Sequence, residues 1–144
     1  MVEQDTIKLL RECDAGIQMG VASIDDVLPR VRDGAFQSRL KSCKAEHEKL
    51  GKEIRKELDR FHDEGKAPNP MAKGMSSFKT NMRMAMDASD ETIASLMTDG
   101  CNMGVKSLNQ YLNKYEAADE RSKDIAKRLI HLEEQLTAGI RDYL

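Results

Sequence analysis

The chain has 144 residues, of which 33 % are charged and only 4 % aromatic, with no tryptophan and a net charge of −2. That size makes one domain around a single core, and the charge balance leaves no basic excess for holding nucleic acid. The longest apolar runs are a few residues, too short to span a bilayer. Three cysteines without CxxC spacing point to reduced thiols in a cytoplasmic protein. Met1-Val2-Glu3-Gln4-Asp5 has neither the basic region nor the apolar stretch of a signal peptide.

The first helix is predicted to start at Asp5 or Thr6, either of which can cap it. Ile7, Leu10, Ile17, Val21, Ile24 and Leu28 form its apolar stripe, with Cys13 or Asp14 filling the one wide gap. Pro29 removes a hydrogen bond near its end, and Asp33-Gly34 is expected to stop it.

The second helix, about 35 to 64, carries Phe36, Leu40, Cys43, His47, Leu50, Ile54, Leu58 and Phe61 at spacings of three and four. Cys43 and His47 therefore belong to the buried seam. Gly65 and Pro68-Asn69-Pro70 end this helix and force an extended stretch. Residues 71 to 86 read as a shorter helix with Met71, Met75, Phe78, Met82 and Met86 on one stripe. Such methionines suit adaptable core packing, with a partner surface or a soft-metal site as alternatives.

Asp87-Ala88-Ser89-Asp90 breaks the chain and supplies a fresh cap. A third long helix is predicted from about 90 to 115. It carries Ile93, Leu96, Gly100, Met103 or Gly104, Leu108, Tyr111 and Tyr115 inward. A fourth, from about 119 to 144, has Ile125, Leu129, Leu132, Leu136, Ile140 and Tyr143 on its inner stripe. No segment alternates with period two long enough to make a strand, so the fold is all-α.

One structural unit occurs twice. Gly16 and Gln18-Met19-Gly20-Val21-Ala22-Ser23 read onto Gly100 and Asn102-Met103-Gly104-Val105-Lys106-Ser107, 84 residues on. Glu48, Leu50, Ile54 and Leu58 fall on Glu134, Leu136, Ile140 and Leu144 at an offset of 86. Each copy is an αα-hairpin that turns at Asp33-Gly34 or near Ala117-Ala118, and two hairpins make a four-helix bundle. An up-and-down bundle needs only about 2 to 8 residues between hairpins, yet residues 66 to 89 intervene. Sixteen helical residues reach about 24 Å and five extended ones about 16 Å, enough to cross the whole bundle. The expected architecture is therefore ferritin-like, with the first and third helices antiparallel. It comprises hairpin one over 5–65, a crossover over 66–89 and hairpin two over 90–144, all within one domain, 1–144.

Several segments carry a family resemblance. They are Cys13-Asp14-Ala15-Gly16, Thr98-Asp99-Gly100-Cys101-Asn102-Met103-Gly104-Val105-Lys106-Ser107-Leu108 and Asn109-Gln110-Tyr111-Leu112. Leu129-Ile130-His131-Leu132-Glu133-Glu134-Gln135-Leu136 closes the set. Across residues 5 to 144 the chain resembles a family of uncharacterised bacterial ferritin-like domains. The resemblance implies a fold and brings no reaction with it.

Bundles of this plan that bind two metals use a Glu from each of two helices and Glu-x-x-His from the other two. Here the residue three before His47 is Lys44, and before His131 it is Arg128, cations that would oppose a metal. His62 has Asp59 three residues before it but lies near a helix end. No di-iron centre, cofactor or catalytic residue is expected. A mononuclear site would have to be drawn from Cys13, Cys43, His47 and Cys101. Cys43 and His47 share a face and could form a thiolate–imidazolium pair, without an evident substrate cleft. Asp25-Asp26 and Glu133-Glu134 read as solvated faces.

Gly16, Gly20, Gly100 and Gly104 stand mid-helix, each at a cost of about 1 kcal/mol against alanine. The expected reason is close packing of the first helix on the third; the alternative is a groove kept open for a ligand or another helix. The reading of function that follows is a non-catalytic bundle acting by association, with itself or with a protein partner. A metal-binding or redox protein with unusual ligands is the alternative, and storage of a small molecule or lipid among Met and Gly is a third. Neither nucleic acid nor a membrane is an expected partner.

Overall fold

The computed structural model describes residues 2–63, 65 and 89–144. These residues form four α-helices and no strand: α1 (Val2–Val27), α2 (Gly34–Arg60), α3 (Asp90–Lys114) and α4 (Glu120–Gly139). Short 3-10 turns follow at Leu28–Arg30 and Arg141–Tyr143. The all-α expectation holds among the described residues, while several helix ends differ. The helix expected over 71–86, with its methionine stripe, and the crossover up to residue 88 lie outside the described residues.

α1 begins at Val2, not at Asp5 or Thr6, because those two side chains are committed to the turn between α3 and α4. It ends at Val27, and Pro29 sits in the 3-10 turn, where its missing N–H costs nothing. Asp33 opens α2 instead of closing α1, its carboxylate accepting from the Phe36 amide at 2.9 Å. α2 stops at Arg60, short of the expected 64, and the chain turns through His62 and Gly65, both with positive φ. Ser89 and Asp119 cap α3 and α4 in the same manner as Asp33 caps α2, accepting from the Thr92 and Ser122 amides. α4 tightens into a 3-10 turn after Gly139 rather than running to residue 144.

Hydrogen bonds between the hairpins fix the helix directions. At one end, Asp5 accepts from the Ala117 amide at 3.1 Å and Thr6 Oγ1 accepts from the Asp119 amide at 2.8 Å. At the other, the Asp90 carboxylate accepts from the Arg32 and Asp33 amides, each at 2.9 Å. The start of α1 thus meets the end of α3, and the end of α1 meets the start of α3, so the two run antiparallel. Glu57, near the end of α2, takes a hydrogen bond from Arg121 at the start of α4, so that pair is antiparallel too. It follows that α2 finishes at the opposite end of the bundle from where α3 begins.

The apolar core falls into two clusters. One gathers Ile24, Phe36, Leu40, Ile93, Met97 and Ile140 near the Asp33 end, and Tyr143 stacks on Phe36 there at 4.6 Å between ring centres. The other gathers Leu9, Leu10, Leu50, Ile54, Ile125 and Leu129 towards the Thr6 end. All four helices contribute to both. Between the clusters lies a waist, reached in α2 between Cys43 and Leu50 and in α4 between Leu129 and Leu136. No described helix is long and apolar enough to cross a membrane.

Candidate functional site at the waist

His47 occupies the waist from α2, where its place in the seam buries it to 1 % exposure. Its Nδ1 lies 2.8 Å from the carbonyl oxygen of Cys43, one helical turn back, and 3.5 Å from Cys43 Sγ. Its Nε2 lies 2.9 Å from Glu133 Oε1 on α4. A carbonyl and a carboxylate can only accept, so each ring nitrogen must bring a proton, and the ring is an imidazolium. Burial opposes that charge. The hydrogen bonds to Cys43 and Glu133 and the negative charge of Glu133 outweigh it, pushing the His47 pKa up to about 10.

Glu133 corrects the sequence reading, which placed it with Glu134 on a solvated face. Its side chain is only 14 % exposed and completes a buried ion pair, whereas Glu134 is exposed. His47 and Glu133 stand 86 residues apart, the same offset at which the sequence reading set Leu50 against Leu136.

The glycines follow the same register. A Cβ on Gly20 would lie 3.1 Å from His47 Cδ2 and Nε2, tighter than a relaxed carbon contact allows. A Cβ on Gly104, 84 residues on, would lie 3.8 Å from Glu133 Oε2. Gly20 thus clears room for the imidazolium, and Gly104 faces its carboxylate. At Gly16 the nearest side-chain atom to a Cβ is Leu129 Cδ2, at 3.8 Å; at Gly100 nothing comes within 4 Å. None of the four meets the backbone of the other glycine-bearing helix within that distance. Instead all four line a cavity of about 210 Å³ between α1 and α3, with His47 and Glu133 as its floor. This geometry matches the groove alternative rather than the close packing of α1 on α3.

The other walls of the cavity are mostly apolar, among them Leu96, Met97, Met103 and Leu108, and Met103 is 60 % exposed at its surface. Besides the floor pair, its ionisable lining consists of Glu12, Asp99, Cys101 and Tyr111, with neither Lys nor Arg among the described lining residues. Tyr111 is held in its neutral form by partial burial, by the charge of Glu12 and by a hydrogen bond to Glu12.

Of the candidate metal ligands, Cys43, His47 and Cys101 converge on Glu133. Burial and then the Glu133 charge push the Cys101 thiol well above its ordinary range. Cys13 is not with them: it packs among Leu9, Leu10 and Ile17, where burial, with the charges of Glu12 and Asp14, pushes its thiol up to about 12. All three thiols are unpaired. No three His, Cys, Asp or Glu side chains among the described residues are placed to hold a metal ion. Lys44 and Arg128 pair with Asp25 and Glu53 at 2.6 and 2.8 Å. His62 and His131 are exposed.

Two further buried acids escaped the sequence reading as partners. Asp14 accepts from Gln18 at 3.1 Å and faces Arg55 at 3.4 Å, while Glu57 binds Arg60 and Arg121. Both tie helices together with arginines whose own ends are exposed. No family model, curated protein or solved structure matches this chain.

Proposed function

We propose that the chain is a non-catalytic, ferritin-like helical bundle that acts by association, with the groove between α1 and α3 as its contact surface. One observation carries this reading: four mid-helix glycines line that groove, each at a cost of about 1 kcal/mol to its helix. The groove, of about 210 Å³ and open to solvent beside Met103, offers a place for another molecule. Among the described residues, His47 and Glu133 at its floor form an ion pair whose members satisfy each other, which suits a contact surface better than proton transfer. The antiparallel run of α1 and α3 supports the ferritin-like topology, as do the repeat offsets carried by the waist residues. The unpaired thiols fit the reducing cytoplasm of a bacterium.

Gly100→Leu tests the reading, because a Cβ at this position meets nothing within 4 Å and the longer side chain is directed to the groove, so the fold should stay intact. Native mass spectrometry and light scattering of the gently purified protein should find a bound molecule or second copy on the wild type that Gly100→Leu lacks. Bare single chains in both would sink the proposal.

The alternative is a metal-binding or redox protein with unusual ligands; Cys43, His47 and Cys101 lie together beside Glu133, although their present placement would have to shift to hold a metal ion. Elemental analysis before and after Cys43→Ala and His47→Ala decides it. Stoichiometric metal lost in both variants would replace association with metal chemistry.

A further inference from the structure

We propose that Cys43 is a modification site, a nucleophilic thiol that hydrogen peroxide oxidises to a sulfenic acid through a cleft between α2 and α4. The site is separate from the groove and does not rest on the association reading. The sequence places Cys43 and His47 on one face of α2 without showing a cleft beside them. The structure supplies one. Cys43, with Arg39 and Glu46 of α2 and Gln135 and Leu136 of α4, lines an open cleft of about 470 Å³, whereas the groove lies between α1 and α3. Cys43 is 8 % exposed, an opening that suits a reagent little larger than water.

His47 Nδ1 stands 3.5 Å from Cys43 Sγ, and its Nε2 is held by Glu133 at 2.9 Å. A nucleophile, an imidazole within reach of it and a third group on the far ring nitrogen form the arrangement that activates a cysteine. Here the ring is already an imidazolium, because a carbonyl and a carboxylate face its two nitrogens. A positive charge beside a sulfur favours the thiolate, the form that attacks. Arg39 and Glu46 are exposed and opposite in sign, so the buried ring sets the charge at the sulfur. The other two thiols lack this setting. Cys13 is fully buried among leucines, and Cys101 faces the Glu133 carboxylate, whose charge opposes its ionisation. In the reaction the thiolate attacks one peroxide oxygen; an S–O bond forms and the O–O bond breaks. Sulfur loses two electrons, the peroxide gains them, and the leaving hydroxide takes a proton from solvent to become water.

The test treats the wild type and Glu133→Gln with hydrogen peroxide at neutral pH, beside free glutathione, and maps the products by peptide mass spectrometry. Cys43 should gain one oxygen before Cys13 and Cys101, and faster than glutathione despite its burial. Dithiothreitol should remove that oxygen, which distinguishes it from methionine sulfoxide. Glu133→Gln loosens the hold on the imidazolium proton and should slow Cys43 about tenfold, the ordinary weight of one opposite charge at close range. Cys13 serves as the fold control and should stay unmodified in both proteins. Cys43 slower than glutathione, or oxidised no sooner than Cys101, would overturn the proposal. So would an unchanged rate in Glu133→Gln with Cys13 still protected. If Cys13 reacts in that variant its fold has opened, and the wild-type comparison with glutathione decides alone.

Discussion

The hydrogen bonds from His47 to the Cys43 side chain and to Glu133 hold its proton against burial, and this makes stability depend on pH. Its pKa is raised on folding, from an ordinary value of about 6.5 to about 10. The folded chain therefore holds a proton that the unfolded chain gives up. The resulting stabilisation is complete below the unfolded pKa and is lost as pH rises through the folded one. Urea midpoints should fall between about pH 6.5 and pH 10, and Glu133→Gln should flatten that slope by letting the ring deprotonate earlier. An equal slope in the variant would mean that other groups set it. The glycines give a second test at this scale. Gly104→Ala puts a methyl 3.8 Å from Glu133, an ordinary contact, and should stabilise by about 1 kcal/mol through helix propensity alone. Gly20→Ala presses on a ring held by hydrogen bonds at both nitrogens, so the same gain should be cancelled or reversed. Chemical denaturation of the two variants reads the difference directly.

At the level of the helices, what fixes the ends is tertiary, which explains why the seams were legible and the boundaries were not. Spacings of three and four located Phe36, Leu40, His47 and Ile54 inside α2 because burial depends only on the side of the helix a residue occupies. Asp5 and Thr6 had the chemistry of caps, but their acceptors serve the turn before α4, a contact across more than a hundred residues. Glu133 was missed for a related reason. An acidic residue beside another acidic residue looks solvated until the partner on α2 is known. The matched contacts also make a prediction. Thr6 is buried, and Thr6→Val would leave the Asp119 amide without its acceptor at a cost of about 1–3 kcal/mol. Asp90→Ala, at the other end of the bundle, removes the acceptor of two exposed amides, which water can replace. It should cost less, and thermal melts that rank the pair the other way would contradict this account of the two ends.

For the whole molecule, the question is whether the waist divides the bundle into halves that melt apart. Two apolar clusters separated by a charged pair and four glycines could behave as two cooperative units. Each helix argues against that. α1 supplies Leu9, Leu10 and Ile17 to one cluster and Ile24 to the other, and α2 does the same with Ile54 and Leu40. Fraying one cluster would therefore strip a helix of half its buried face while the other half stayed packed. The hairpins are no more independent, since each one's turn is hydrogen-bonded by the first helix of the other. Unfolding should then be a single transition, as is usual for domains of this size. Tyrosine positions allow the test without added labels. Tyr143 stacks on Phe36 beside the Asp33 end, whereas Tyr111 and Tyr115 pack with the cluster at the Thr6 end. In Tyr143→Phe the remaining tyrosine fluorescence, which includes Tyr111 and Tyr115, reports the Thr6 end, and in a Tyr111→Phe, Tyr115→Phe double variant Tyr143 reports the other. Within each variant the fluorescence and far-ultraviolet circular dichroism curves in urea should coincide. A fluorescence transition displaced from the dichroism curve would show that the waist separates the two ends.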